Sequence, residues 1–227
     1  MKHITDIFFD LDHTLWDFDT NSFLAFDKIF KSQYPTIDSK FFIEIYAPIN
    51  QACWKLYQVD KITHDELRYQ RLKQTFDIMD YSISDDAIDK IATDYITFLP
   101  DNNQLFKGAV EVLEYLKPKY HLHIITNGFA EVQDKKIANS GLKKYFNTIT
   151  NSEMAGVKKP HPSIFNHALI LAETNIKQSI MIGDSIDADV QGALDFGMEA
   201  ILFDPNNQFP LKGISRINQL IELKKIF

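Results

Sequence analysis

The chain has 227 residues and a formal net charge of −7, from 24 basic and 31 acidic residues. Hydrophobic residues make up 45% of the sequence and charged residues 24%, which is ordinary for a globular protein with a sizeable core. No block of lysines and arginines resembles a nucleic-acid-binding surface, so we expect no nucleic-acid partner. No apolar stretch approaches about 18 residues, so we expect no membrane span.

Cysteine usage and the amino-terminal residues indicate the compartment. Cys53 is the only cysteine, so no disulfide can form within the chain. It lies in an apolar helical run, where we expect a small buried hydrophobe rather than a nucleophile. Residues 1–3 lead into an apolar run without the pattern of a signal peptide. We therefore expect a cytoplasmic protein that is either a monomer or a homodimer.

The first predicted element is a strand over residues 3–9 that ends in two carboxylates. Apolar, β-prone residues from Ile4 to Phe9 are followed by Asp10 and Asp12. Because an open α/β sheet binds its ligands at the carboxyl ends of its strands, both side chains are expected in one crevice. Two carboxylates this close are costly without a cation or a proton between them. The stretch predicts a metal-assisted site in which one carboxylate is the nucleophile and the other the acid/base.

Residues 17–100 have the apolar periodicity of helices and contain no convincing strand. Pro48 is expected to kink or break the second of these helices. Thr63 and Glu66 form the pattern of a capping box at the start of the third, and residues 84–86 open a fourth. The segment therefore predicts a compact module of four helices.

Helices and strands alternate from Gly108 onward. The predicted strands here are residues 121–126, 146–150, 179–182 and 199–203, and the predicted helices are residues 109–116, 131–140, 162–171, 189–196 and 216–223. We predict an α/β fold with a Rossmann-like parallel five-stranded sheet core and an inserted all-helical cap domain. Its expected boundaries are residues 1–16 and 101–227 for a discontinuous core domain and residues 17–100 for the helical cap domain.

Three of the predicted strands end in polar residues. These ends are Asp10-Leu11-Asp12-His13-Thr14, Thr126-Asn127-Gly128, and Gly183-Asp184-Ser185 with Asp187 and Asp189 following. Lys158-Lys159-Pro160 lies between the last two of them. The ends of parallel strands lie side by side, so they bring together carboxylates, a hydroxyl, free backbone N–H groups and a lysine. Such a set binds a divalent cation and a phosphoryl group.

These residues resemble the four motifs of the haloacid dehalogenase-like hydrolase superfamily. Its apolar strand followed by D-x-D-x-T is matched by residues 10–14, and its strand-terminal threonine by Thr126. Its lysine before proline is matched by Lys159-Pro160, and its G-D-S-x-x-x-D pattern by residues 183–189. All four motifs occur in order and span almost the whole chain.

The resemblance implies a Mg²⁺-dependent phosphomonoester hydrolase. Asp10 would attack phosphorus and form an aspartyl-phosphate, and Asp12 would protonate the leaving oxygen and then activate water. Lys159 would offset negative charge on Asp10 and the phosphoryl group. The implied substrate-binding residues are Thr126, Asn127, Gly128 and Lys159. The implied metal ligands are Asp10, Asp184 and the backbone carbonyl of Asp12, with Asp189 supporting the metal site.

Residues 9–18, with Asn21 and Ser22 after them, resemble the pyrimidine 5′-nucleotidase branch, which acts on nucleoside monophosphates and has a helical cap. The resemblance therefore implies a 5′-nucleotidase. A phosphatase of a smaller ester such as phosphoglycolate or a sugar phosphate stays open, as do a phosphomutase, a metal-free dehalogenase and an inactive binding module. Asp12 favours phosphoryl transfer, because the founding dehalogenases lack an aspartate at that position and use no metal.

Several residues near the motifs keep more than one interpretation. Asp187 is expected to be a helix N-cap rather than a metal ligand. Lys158 is expected to be a solvated neighbour of Lys159. Trp16 and Phe18 either close the cap over a base or pack at a hinge. Which cap residues determine the leaving group stays open.

Overall fold

The computed structural model describes residues 3–208 and 213–227. The chain forms two compact units. The first, here called the core unit, comprises Met1–Asp17 and Asn103–Phe227. The second, here called the helical unit, is Phe18–Asn102. Among the described residues, no helix is long and apolar enough to cross a lipid bilayer.

The helical unit contains four α-helices, as predicted. They are α1 (Phe18–Gln33), α2 (Ser39–Gln58), α3 (His64–Ile78) and α4 (Asp85–Phe98). The predicted capping box opens α3: the Thr63 hydroxyl accepts the Glu66 N–H at 3.2 Å, and the Glu66 carboxylate accepts the Thr63 N–H at 2.7 Å. The helix α2 continues through Pro48, so the predicted break does not occur there.

Aromatic rings fill the interior of the helical unit. The Phe26 ring stacks on Tyr95 at a centroid distance of 4.3 Å and contacts Phe42 and Tyr46 at 4.8 Å each. Arg71 is buried beside them, with its guanidinium 5.2 Å from the centre of the Tyr95 ring. The many Phe residues of the sequence therefore form a packed core here, since large rings bury much apolar area per residue.

The core unit is built on a six-stranded sheet in which all the described pairings are parallel. Its strands are β1 (Asp6–Phe9), β2 (His121–Thr126), β3 (Thr148–Asn151), β4 (Ser179–Gly183), β5 (Glu199–Phe203) and β6 (Ser215–Ile217). Their order in the sheet is β3-β2-β1-β4-β5-β6. The predicted α/β fold with a parallel sheet is confirmed, with six strands rather than five.

Helices follow the strands of the core unit, as the alternating pattern predicts. They are α5 (Ala109–Leu116), α6 (Ala130–Asn139), α7 (Ser152–Ala155), α8 (Pro162–Leu171), a π-helical turn (Ile186–Gln191) that continues into α9 (Gly192–Phe196), and α10 (Leu223–Ile226). Shorter 3₁₀ turns of the core unit are Lys143–Tyr145, Ile176–Gln178 and Leu220–Glu222, and another, Leu99–Asp101, follows α4 in the helical unit. Both α8 and α9 pack on one face of the sheet, against side chains such as Phe8, Ile125 and Met181. Burial on both faces explains why residues 7–9 of β1 and residues 180–182 of β4 are continuous apolar runs.

The sixth strand lies where the sequence predicts the start of a helix over residues 216–223, so that prediction is wrong for its first residues, and helical turns begin only at Leu220. Ile217, Leu220 and Leu223 are all buried, and their spacing of three imitates the periodicity of a helix. The first of them instead belongs to β6, which pairs with β5. The Asp204 N–H donates to the Ile217 carbonyl at 2.9 Å. Pairing with the edge of the sheet therefore overrides the local pattern.

A hydrogen-bonded network joins the strands at their amino ends. The buried Asp6 carboxylate accepts hydrogen bonds from His123 Nε2 at 3.1 Å and from the Thr174 hydroxyl at 2.8 Å. The other ring nitrogen of His123 is 2.8 Å from the Thr148 hydroxyl. Burial lowers the pKa of His123 below its usual value, although Asp6 acts in the opposite direction. The imidazole is therefore neutral in the folded protein near pH 7.

We expect the contribution of His123 to the free energy of unfolding to fall as the pH is lowered below about 6.5, the usual pKa of histidine. The unfolded chain binds a proton at His123 more readily than the folded chain, because the folded pKa is depressed. The stabilisation is therefore complete above the unfolded pKa and is lost as the pH falls toward the folded one. Urea unfolding at pH 7.5 and pH 5.5 measures the difference.

The substitution His123→Gln removes the titrating group and should reduce this pH dependence. The matched control is His3→Gln, because His3 is also a histidine but is exposed. The explanation fails if His123→Gln has the same pH dependence as the wild-type protein.

Candidate active site

The strands β2, β1 and β4 are neighbours in the sheet, so their carboxyl ends lie side by side. Phe9 at the end of β1 is in register with Ile124 on β2 and Ile182 on β4. The polar segments after these strands therefore begin at the same edge of the sheet. This is where open α/β sheets bind their ligands.

Three carboxylates meet at this edge, those of Asp10, Asp184 and Asp189. One oxygen atom from each lies within 4.8 Å of an oxygen from the other two. Burial raises the pKa of Asp10 well above its usual range; Lys159 opposes this, and the two neighbouring aspartates add to it. Burial, followed by the charge of Asp189, raises the pKa of Asp184 to about 8. Hard oxygen donors with unbalanced negative charge fit a divalent cation such as Mg²⁺.

Lys159 is the cation of this cluster, and only 2% of it is exposed. Its Nζ donates to Asp10 Oδ1 and Asp189 Oδ1 at 2.6 Å each, and to the Ile125 carbonyl at 2.7 Å. Burial alone lowers the pKa of Lys159, but the two carboxylates outweigh it and the net pKa is raised. The ammonium group therefore stays charged beside Asp10. Lys158, by contrast, is half-buried.

The side chain of Asn127 holds the backbone of Lys159. Its Oδ1 accepts the Lys159 N–H at 2.7 Å, and its Nδ2 donates to the Lys159 carbonyl at 3.0 Å. The sequence assigned Asn127 to substrate binding, whereas its amide here positions the lysine. The motif after β2 and the motif before Pro160 are therefore one hydrogen-bonded structure.

Asp189 is held in place from two sides. Its Oδ2 accepts the Ser185 N–H at 3.0 Å, while its Oδ1 accepts the Lys159 ammonium. A Cβ atom at Gly183 would collide with the Asp189 carboxylate, so only glycine fits at the end of β4. The predicted N-cap at Asp187 is wrong: the Ser185 hydroxyl accepts the Ala188 N–H at 3.1 Å and caps the helix. Asp187 lies exposed in the first turn.

The Asp12 carboxylate is bound by residues of α6. Its Oδ1 accepts the Lys136 ammonium at 2.6 Å, and its Oδ2 accepts Gln133 Nε2 at 2.8 Å. The Lys136 ammonium also lies 4.2 Å from the centre of the fully buried Trp16 ring. Asp12 is therefore held separately from the three clustered carboxylates. The structure thus places the two carboxylates of the first motif in different electrostatic surroundings.

The Thr126 hydroxyl lies next to the Asp12 carboxylate and its partners on α6. Only 1% of Thr126 is exposed. It accepts Gln133 Nε2 at 2.7 Å and the Gly128 N–H at 3.2 Å. On the other side of the site, the Thr14 hydroxyl donates to Asp184 Oδ1 at 3.1 Å. The last residue of the D-x-D-x-T motif therefore orients a carboxylate of the fourth motif.

Sequence reasoning missed Gln133 and Lys136. Both belong to α6, the helix that follows Thr126, and are three residues apart, so they share a helix face. Lys136 is buried although it is a lysine on an amphipathic helix. The signal available in the sequence was this pair of polar residues on the helix after the second motif.

A family model described as haloacid dehalogenase-like hydrolase matches residues 6–197. The chain belongs to this family. The resemblance inferred from the four motifs is thereby confirmed, and the residues described above are those of a haloacid dehalogenase-like hydrolase.

Curated relatives of this hydrolase align over most of its length. The pyrimidine 5′-nucleotidase PynA of Streptococcus pneumoniae is 32% identical, with 88% of this chain and 84% of the relative covered. The pyrimidine 5′-nucleotidase YjjG of Escherichia coli is 29% identical, with 97% and 96% covered. The putative hydrolase YfnB of Bacillus subtilis is 28% identical, with 100% and 95% covered.

Solved structures agree with the fold of this hydrolase. The magnesium-bound crystal structure of YfnB from Bacillus subtilis has a TM-score of 0.87 at 28% identity, covering 99% of this chain and 98% of that one. The L-2-haloacid dehalogenase of Xanthobacter autotrophicus has a TM-score of 0.76 at 16% identity, covering 98% of both chains. The latter similarity shows a shared fold alone.

Proposed function

We propose that this phosphatase is a Mg²⁺-dependent 5′-nucleotidase that hydrolyses pyrimidine nucleoside monophosphates through an aspartyl-phosphate. The observation that carries the chemistry is the Asp10 carboxylate, which is buried, bonded to Lys159 and placed beside two further carboxylates. A second carboxylate, Asp12, follows two residues later and is held apart by Lys136. One site therefore contains a nucleophile and a separate acid/base.

The metal would be held by Asp10, Asp184 and the backbone carbonyl of Asp12, with Asp189 supporting the site. The raised pKa values of Asp10 and Asp184 support this assignment, because a divalent cation favours their ionised forms. When bound, the cation supplies positive charge that neutralises the carboxylates and the phosphoryl oxygens.

The first chemical step forms the aspartyl-phosphate. An Asp10 oxygen attacks phosphorus, the bond from phosphorus to the ester oxygen breaks, and the Asp12 carboxylic acid gives its proton to that oxygen. Lys159 offsets the charge on Asp10, while Thr126 and the backbone N–H groups after it bind phosphoryl oxygens. The nucleoside then leaves with its hydroxyl restored.

The second step returns Asp10 to its starting form. A water molecule attacks phosphorus and gives one proton to the Asp12 carboxylate, and the bond from phosphorus to Asp10 breaks. Inorganic phosphate leaves, Asp10 is again a carboxylate, and Asp12 is again the acid. Because Asp12 acts in both steps, it must gain and lose a proton in every turnover.

The nucleotide specificity rests on the relatives. Two curated relatives that align over most of this chain, PynA and YjjG, are pyrimidine 5′-nucleotidases. The segment 9–18, where the cap begins in the sequence, also resembles that branch. A pyrimidine nucleoside monophosphate is therefore the substrate class that we propose.

We expect kcat/KM for UMP or dUMP to exceed that for phosphoglycolate by at least about tenfold, because a site that binds a base loses those contacts with the smaller ester. The rate of phosphate release measures both kcat/KM values.

Treatment with EDTA should abolish activity and added Mg²⁺ should restore it. Faster turnover of phosphoglycolate would contradict the nucleotidase assignment, and full activity after chelation would contradict the metal assignment.

A further inference from the structure

Gln133 connects the acid/base residue to the phosphoryl-binding residue. Its Nε2 donates one hydrogen bond to Asp12 Oδ2 at 2.8 Å and another to Thr126 Oγ1 at 2.7 Å. Both amide hydrogens are therefore used. The nitrogen is the donor atom of the amide, so it faces these two oxygen acceptors.

The carbonyl oxygen of the same amide has no donor among the described residues. Gln133 Oε1 is buried, and only 1% of the residue is exposed. A buried amide oxygen without a partner is unfavourable, so such groups mark places where a ligand or water supplies the missing donor. A water molecule or a bound ligand can supply this donor.

The surrounding backbone is shaped to admit this amide. A Cβ atom at Gly128 would collide with Gln133 Cδ and Nε2. The glycine of the segment after β2 therefore makes room for the glutamine directly beside Thr126. The unpartnered oxygen belongs to the same amide as Nε2, which binds Asp12 and Thr126, so it lies beside the residues that bind the phosphoryl group and carry out proton transfer.

We propose that Gln133 positions the water that hydrolyses the aspartyl-phosphate. This inference rests on the proposed mechanism. Each of the two hydrogens of the attacking water has its own acceptor. One hydrogen goes to the Asp12 carboxylate, and the other is bound by Gln133 Oε1. Held in this way, the water has a lone pair free for phosphorus.

The step balances in atoms and charge. The bond from the water oxygen to phosphorus forms, and the bond from phosphorus to the Asp10 oxygen breaks. One proton of the water moves to Asp12, and the second remains on the oxygen that becomes part of hydrogen phosphate. Gln133 neither gains nor loses a proton, so it is a positioning residue.

The test separates the two chemical steps. The substitution Gln133→Met keeps the length of the side chain and removes the amide. The charged Lys136 still binds Asp12 Oδ1 in this variant, so with UMP and Mg²⁺ we expect release of uridine close to one equivalent per active site, followed by turnover slowed about 10- to 100-fold. Phosphorylated enzyme, trapped by acid quench with ³²P-labelled UMP, should accumulate. The uridine burst also shows that the variant is folded.

Lys136→Met is the matched comparison. It removes the other hydrogen bond to Asp12 and leaves the amide of Gln133 in place. Because Asp12 acts in both steps, this variant should slow both and give no burst. Lys135→Leu changes an exposed residue of the same helix and should behave as the wild-type protein.

A second variant keeps the inference testable if methionine disturbs the fold. Gln133→Glu retains an acceptor oxygen but puts a second carboxyl group beside Asp12, so its phosphorylated form should be hydrolysed faster than that of Gln133→Met at a pH low enough for the new carboxyl group to be protonated and to donate to Asp12. Equal slowing of both steps in Gln133→Met, or a raised KM with unchanged kcat, would overturn the water-positioning role. If the wild-type protein forms no phosphorylated intermediate at all, the proposed mechanism fails instead.

Discussion

The Asp10→Asn variant is expected to lose phosphatase activity by at least about 10⁴-fold, as nucleophile replacements do in other covalent mechanisms. An amide oxygen is a poor nucleophile and carries no charge for Lys159 to offset. The measurement is kcat for UMP with Mg²⁺, together with acid trapping of ³²P-labelled enzyme. We expect no labelled protein from the variant.

The same substitution should leave the folded state as stable as before, or more stable. Burial raises the pKa of Asp10, so folding disfavours its ionised form in the absence of metal. Asparagine has the same shape without that charge, and Lys159 keeps its bond to Asp189. Urea unfolding in EDTA should therefore give an equal or higher free energy of unfolding.

The control is Asp187→Asn, which removes an exposed carboxylate from the fourth motif. It should retain activity within about twofold, since a surface substitution away from the site has little effect. Turnover that survives Asp10→Asn would disprove the aspartyl-phosphate mechanism.

The Lys159→Met variant is expected to lose both stability and activity. Removal of one partner from a buried ion pair costs about 3–5 kcal/mol, and Lys159 pairs with both Asp10 and Asp189. We also expect kcat to fall by at least about 10²-fold, because charge near the phosphoryl group is lost. Urea unfolding in EDTA measures the first effect and phosphate release from UMP the second.

Mg²⁺ should reduce the loss of stability in Lys159→Met, because a divalent cation also offsets the clustered carboxylates. The matched control is Lys158→Met, which changes a half-buried neighbour and should alter the free energy of unfolding by about 0.5 kcal/mol or less. Equal effects of the two substitutions would show that the buried ion pairs of Lys159 do not stabilise the fold.

Much of the fold could be predicted because its signals are local. The bounds of α5, β2 and β5 agree with those predicted from the sequence. Apolar runs bounded by polar residues define buried strands, and caps such as Thr63 define helix starts within a few residues of the chain. The position of the site also follows from the sequence, since polar residues at the ends of parallel strands must meet at one edge.

The errors occurred where distant parts of the chain decide the outcome. Residues 215–217 form β6 because the edge of β5 was available for pairing, and the local spacing of apolar residues does not report this. The N-cap is Ser185 rather than Asp187: the Ser185 N–H donates to Asp189, whose carboxylate also binds Lys159, 30 residues away in the chain. Both features depend on contacts that a sequence pattern does not contain.

The sequence by itself determined the chemical inventory of this protein: the carboxylate pair at Asp10 and Asp12, a lysine before proline and a second acidic motif, in the order typical of the family. Only the tertiary structure decided which of these side chains contact one another. Lys159 lies with Asp10, whereas Asp12 is bound by Gln133 and Lys136, which are 121 and 124 residues away in the chain. Hydrogen bonds over such separations form only after the sheet has brought β1 and β2 together, so no local pattern encodes them.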